Sequence, residues 1–243
     1  MLRSDAIQRW WPTTQSLDLV EGTVEAVASA VETEVKRFLA GERLASAWID
    51  CTSFNDALRE AREFANVPTL YLVLPTTSRW CVLWNNSFLC DGYDSLCFCL
   101  TANHGLTTVH WSAHDEQTTF QAGSMFCHRK RHAGAVVERA VAVAQEDRRW
   151  LFHQSGEPLP EEDVTKYAAR LKKDRLNEGL MVELLARLGA SPWDETFYSM
   201  SRQRCYSLRR PNPPPTVTKR LPTDVVGAGQ QGHAAGGPQA ARG

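Results

Sequence analysis

Between residues 23 and 40, apolar side chains recur at Val24, Val27, Val31, Val35, Phe38 and Leu39, the spacing that gathers one face of an α-helix. Thr23 suits the N-cap of that helix and Gly41 its left-handed stop. Residues 45–51 (ASAWIDC) are short and apolar enough for a strand, and Ser53 with Asp56 three positions on predicts a capped helix running to about residue 65. The period then changes. Residues 69–74 (TLYLVL) and 79–84 (RWCVLW) are continuous β-favouring runs joined by Pro75, Thr76, Thr77 and Ser78, which predicts a hairpin. Helical spacing returns over 92–104 with Leu96, Cys97 and Leu100, ending at Gly105. Residues 106–111, 118–128, 136–144 and 149–152 predict four further strands, the last two joined by a turn at Glu146 and Asp147.

Beyond Gly156 the prolines at 158 and 160 end the strand pattern, and Glu161, Glu162 and Asp163 put negative charge where a helix start favours it. A helix to about residue 175 is expected, then a second one capped by Asn177, striped with Leu180, Leu184, Leu185 and Leu188, and stopped by Gly189. After Tyr206 the chain becomes proline-rich and then glycine- and alanine-rich, which predicts disorder from about residue 211. The predicted fold class is α+β: a mainly antiparallel sheet with flanking helices, a C-terminal helical pair and a disordered tail. The expected units are a core domain over 1–156, a helical segment over 157–210 and a tail over 211–243.

With 243 residues, 43% of them hydrophobic, the chain can bury a substantial core. Its 27 basic and 28 acidic residues leave a net charge of −1, so no whole-molecule field draws it to nucleic acid or an anionic membrane. There is no apolar run of the roughly twenty residues that a membrane helix needs, and the N-terminal stretch lacks a secretory pattern; a cytoplasmic location is expected. Seven cysteines, an odd number, favour reduced and mostly buried thiols over a disulfide framework.

Candidate chemistry concentrates between Pro68 and Arg131, which holds five of the seven cysteines. His104, His110, His114 and Asp115 offer imidazoles and a carboxylate suited to zinc or iron, with His110 and His114 on one face of an extended strand. The spacing matches no established metal signature. Cys90 is the best-placed thiol nucleophile, with His104 or His110 as base, although Asp91 beside it opposes thiolate formation. Cys97 and Cys99 sit in apolar surroundings and suit core packing. Nucleophile elbow, phosphate loop and dinucleotide turn are all missing, and no cofactor is expected. Arg129, Lys130 and Arg131, with Lys172 and Lys173, are the candidate nucleic-acid contacts. Trp80, Trp84 and Trp111, on predicted strands, are the candidate interaction surface, set against the alternative of sheet-core packing.

The residues Pro75 to Ser78, Trp80, Trp84, Asn85, Asp91 to Asp94, His104, Gly105 and Trp150 to Pro158 resemble those of a group of small bacterial proteins to which no activity is attached. The likeness covers residues 67–190 and implies a bacterial cytoplasmic origin without implying a chemistry. Some toxin-neutralising immunity proteins share the size and the α+β build, a fold-level analogy only. The leading expectation is a non-enzymatic protein that binds another macromolecule, a protein partner before a nucleic acid and no membrane. The alternatives are a metal- or thiol-dependent hydrolase built on residues 90–115 and a nucleic-acid-binding protein.

Overall fold

The computed structural model describes residues 16–61, 64–89, 93–114, 122–200, 202–212 and 218–219. Its frame is a nine-stranded sheet in which every neighbouring pair of strands runs antiparallel. In chain order the strands are β1 (Ser16–Glu21), β2 (Ala45–Ile49), β4 (Leu70–Pro75), β5 (Trp80–Asn85), β6 (Thr108–His114), β7 (Gly123–His132), β8 (Ala135–Glu146), β9 (Arg149–Ser155) and β10 (Cys205–Arg209). In space the order is β2-β10-β4-β5-β1-β6-β7-β8-β9, so β2 and β9 are the two edges. A separate pair joins β3 (Phe64–Ala65) to β11 (Thr218–Lys219), which places two residues of the stretch expected to be disordered in a ladder. Residues 213–217 and 220–243 lie outside the described residues.

Four helices cover the sheet: α1 (Val24–Phe38), α2 (Phe54–Leu58), α3 (Tyr93–His104) and α4 (Glu178–Arg187). Helices α1 and α3 share one face, where Val27, Val31, Leu96 and Leu100 pack on Val20, Val73, Leu83 and Leu208. On the other face, α2 and α4 bring Phe54, Leu58, Met181 and Leu185 against Leu17, Leu19, Leu72 and Val82. This double cover explains the continuous runs TLYLVL and RWCVLW. A strand buried on both faces has no polar alternate positions, whatever the direction of its neighbours.

The predicted caps are in place. Thr23, Ser53 and Asn177 each accept a backbone N–H three residues on, from Ala26, Asp56 and Leu180 at 3.3, 3.0 and 3.0 Å. The C-terminal helical pair is not found. One α-helix, α4, is preceded by two 3₁₀ turns, Val164–Ala168 and Lys172–Asp174. The reason is Glu162, whose buried carboxylate accepts Arg139 Nη2 at 2.8 Å, Tyr167 Oη at 2.8 Å and the Leu159 N–H at 2.8 Å. These bonds draw Leu159, Glu162 and Tyr167 down onto β8 and β9 together, and a regular helix would turn some of them away. Nor do residues 157–210 stand apart: β10 inserts between β2 and β4, and Leu176 to Cys205 contribute to the same core cluster as β1 and β5.

Candidate functional site

Beneath α3 the α1/α3 face of the sheet turns polar. The pleat of β1 sends Leu17 and Leu19 to one side and Asp18 to the other, where the register sets it opposite His110 on β6. His110 Nδ1 lies 2.8 Å from Asp18 Oδ1, with the two side chains 5% and 0% exposed. Cys97 reaches the same carboxyl group from α3. Tyr93, its ring 6.4 Å from that of His110, receives the Asn85 N–H on its hydroxyl at 2.6 Å and donates that hydroxyl to the Asn85 carbonyl at 3.3 Å. One layer further along, Arg129 bridges Asp94 and Glu138, each at 2.6 Å.

An aspartate, a histidine and a cysteine in contact invite a comparison with nucleophilic catalysis, and the electrostatics argue against it. Burial pushes the Asp18 carboxyl up, with His110 opposing. Burial together with the neighbouring Asp18 carboxylate holds the Cys97 thiol well above its usual range, so it stays protonated. Cys97 is also fully buried. What this arrangement can do is bolt α3 to the sheet through Asp18 Oδ1, while Asp18 Oδ2 has no hydrogen-bond partner among the described residues.

Of the other predicted residues, His104 stands apart from the Asp18–His110 pair. His104 closes α3 and lies 2.9 Å from Glu34 Oε1 on α1, to which Asn103 Nδ2 also donates at 3.0 Å, so it ties the two helices together. His114 ends β6 opposite Gly123 in the register. Cys90 and Asp115 lie outside the described residues. His104 and His110 therefore belong to different pairs, and among the described residues no three His, Cys, Asp or Glu side chains gather where they could hold a metal.

Trp80, Trp84 and Trp111, expected as an interaction surface, are core residues with 1%, 0% and 4% exposure. Trp80 Nε1 donates to the Leu188 carbonyl at 2.9 Å, and Trp111 meets Trp193 edge-on at 5.9 Å. Their size fills the space between the sheet and the α4 layer. Of the basic candidates, Arg129 is buried in its two ion pairs; Lys130 and Arg131 are exposed and alternate along β7, which sends them to opposite faces. Lys172 and Lys173 are exposed on their 3₁₀ turn.

Two surface features remain. A cleft of about 530 Å³ lies between the start of α1 and the start of β5, lined by Glu21, Gly22, Glu25, Ser78, Arg79 and Gln203 among others. Arg79 there stacks on the Trp80 ring at 4.9 Å and faces Glu21 at 3.7 Å, so its charge is already engaged. The second feature is the edge strand β2. Ala45, Ser46, Ala47 and Trp48 are all exposed, and the strand carries neither a charge nor a proline. Trp48 is 37% exposed while its ring packs edge-on against Tyr206 at 5.3 Å. Periodicity identified this segment as a strand, but no local signal marks a strand as an edge, and Trp48 was missed for that reason. No protein family, curated protein or solved structure matches this chain.

Proposed function

We propose that this chain works by binding another protein, and that the partner adds an extended segment to the free edge of β2. The observation that carries the reading is that edge. Natural sheets blunt their edges with lysine, proline, bulges or a covering element, because a row of unpaired N–H and C=O groups is a template for another strand. Between Ala45 and Ile49 β2 has no lysine or proline, and among the described residues no strand pairs with its outer edge. Small side chains at Ala45 and Ala47 allow close backbone approach on one face, and Trp48 supplies an amphipathic ring on the other. Main-chain bonds would provide affinity and the Trp48 face selectivity, the usual division in strand addition. Of the residues of the hydrolase alternative, His110 is buried against Asp18.

The test compares wild-type protein with an Ala45→Lys/Ala47→Lys variant as bait in extracts of the cells that make it. The expected result is a stoichiometric protein recovered by wild type and lost with the variant, with amide exchange over residues 45–49 slowed when that protein is bound. Recovery of no stoichiometric protein, or equal recovery by both baits, contradicts the reading.

A further inference from the structure

The β2–β10 ladder brings two free thiols together at one end. The register sets Cys205, the first residue of β10, opposite Ile49, the last residue of β2. Cys51 follows Ile49 by two positions and so returns to the same face of the sheet, where both cysteines join one apolar cluster. Their side chains interact with each other. Both are reduced, and the other described cysteines are placed differently: Cys97 against Asp18, Cys99 against Arg37, Cys81 against the Gly22 carbonyl and Cys127 against Glu138.

We infer that Cys51 and Cys205 form a dithiol site that small-molecule disulfides oxidise to an intramolecular disulfide within the native fold. The two cysteines flank the same end of an antiparallel pair, enter one apolar cluster and interact through their side chains, the proximity that a disulfide requires. Cys51 stands in the loop leaving the exposed edge strand and is the more accessible of the two, at 6% exposure against 0% for Cys205. It is therefore the attacking thiol. Cys51 gives up its proton and attacks one sulfur of the oxidant, forming a mixed disulfide and releasing one small thiol. Cys205 then gives up its proton and displaces the second small thiol, closing the Cys51–Cys205 bond. Two protons and two electrons leave the protein with two molecules of small thiol. Burial raises both thiols above their usual range, so the reaction is slow at neutral pH and speeds up as pH rises. The site does not depend on the binding reading given above.

The experiment incubates folded full-length protein with oxidised glutathione and maps cysteines by mass spectrometry under non-reducing conditions. The expected product is a Cys51–Cys205 cross-linked peptide, the intact mass falling by two hydrogens. In a Cys205→Ser variant the glutathione adduct accumulates on Cys51, whereas Cys51→Ser leaves Cys205 unmodified; circular dichroism checks that both variants fold. A Cys51–Cys205 bond that appears only in denaturant, or a dominant cross-link between other cysteines, overturns the inference. So does retention of both free thiols in the folded protein after prolonged oxidation.

Discussion

The two edges of the sheet are managed in opposite ways. At β9 the exposed residues include Arg149, His153, Gln154 and Ser155, and one face is covered by a strap running from Gly156 to the second 3₁₀ turn. Phe152 is held there between Tyr167, at 5.6 Å, and the Arg175 guanidinium, at 5.1 Å. At β2 the strand is uncharged, exposed from Ala45 to Trp48 and held on one side by β10, and Arg204 donates to the Trp48 carbonyl at 2.6 Å and pairs with Asp50 at 2.9 Å. The Arg204–Asp50 pair is 57% and 83% exposed and contributes little to stability. The clamp at β9 is different in kind. Arg139 and Glu162 are 3% and 0% exposed, and Arg139 Nη1 donates further to the carbonyls of Ser155 and Gly156 at 3.1 and 3.0 Å. One edge is stabilised by desolvated, fully bonded charge, and the other is uncharged and exposed among the described residues.

The contrast breaks most severely if the buried pair is cut. Glu162→Ala leaves the Arg139 charge buried without its carboxylate and is expected to destabilise the protein by about 3–5 kcal/mol in urea unfolding. Gly156→Ala acts on the same corner. Gly156 has φ +74°, and an added Cβ would lie 2.0 Å from the Glu138 carbonyl oxygen, so the strap must shift. A loss of about 1–3 kcal/mol is expected, with reduced protection of β9 amides.

Acid sharpens the comparison further. Burial alone would raise the Glu162 carboxyl, but the bonds from Arg139, Leu159 and Tyr167 hold it below its ordinary value of 4.5. A depressed carboxyl adds stability that is fully present above its unfolded value and is lost as pH falls through its folded value. Wild type should therefore lose stability as pH drops below about 4.5, and Glu162→Gln should flatten that part of the profile, as read by thermal unfolding at a series of pH values. The smallest effect belongs to β2. Ala47→Lys sits on an exposed edge position and should change stability by no more than about 0.5 kcal/mol, while abolishing recovery of a partner.

The parts of the fold that local pattern specifies were legible in the sequence. The stripe of α1 with its Thr23 cap, the hairpin formed by TLYLVL and RWCVLW, and α3 ending at Gly105 each follow from spacing within a few residues. What depends on distant residues was not. Strand β1 (SLDLVE), with its exchange of a carboxylate for an apolar residue, became a central strand because Asp18 finds His110, 92 positions away. Strand β10 is short and follows a loop, and nothing in CYSLR states that it inserts between β2 and β4. The helix expected after Glu161 gave way to 3₁₀ turns because Glu162 serves Arg139, 23 positions earlier, in place of a helix start. At the candidate site the chemistry of the residues was visible but their accessibility was not. The tryptophans and the central histidine are equally polar or aromatic whether sealed or open, and burial is a property of the assembled layers.

The most direct measurement is native-state hydrogen exchange followed peptide by peptide along the sheet. The open-edge account predicts that residues 45–49 exchange faster than residues 149–155 in the wild-type protein, and that Glu162→Ala accelerates 149–155 to match them while leaving 45–49 unchanged. Equal exchange at the two edges in wild type, or slower exchange at β2, would contradict it.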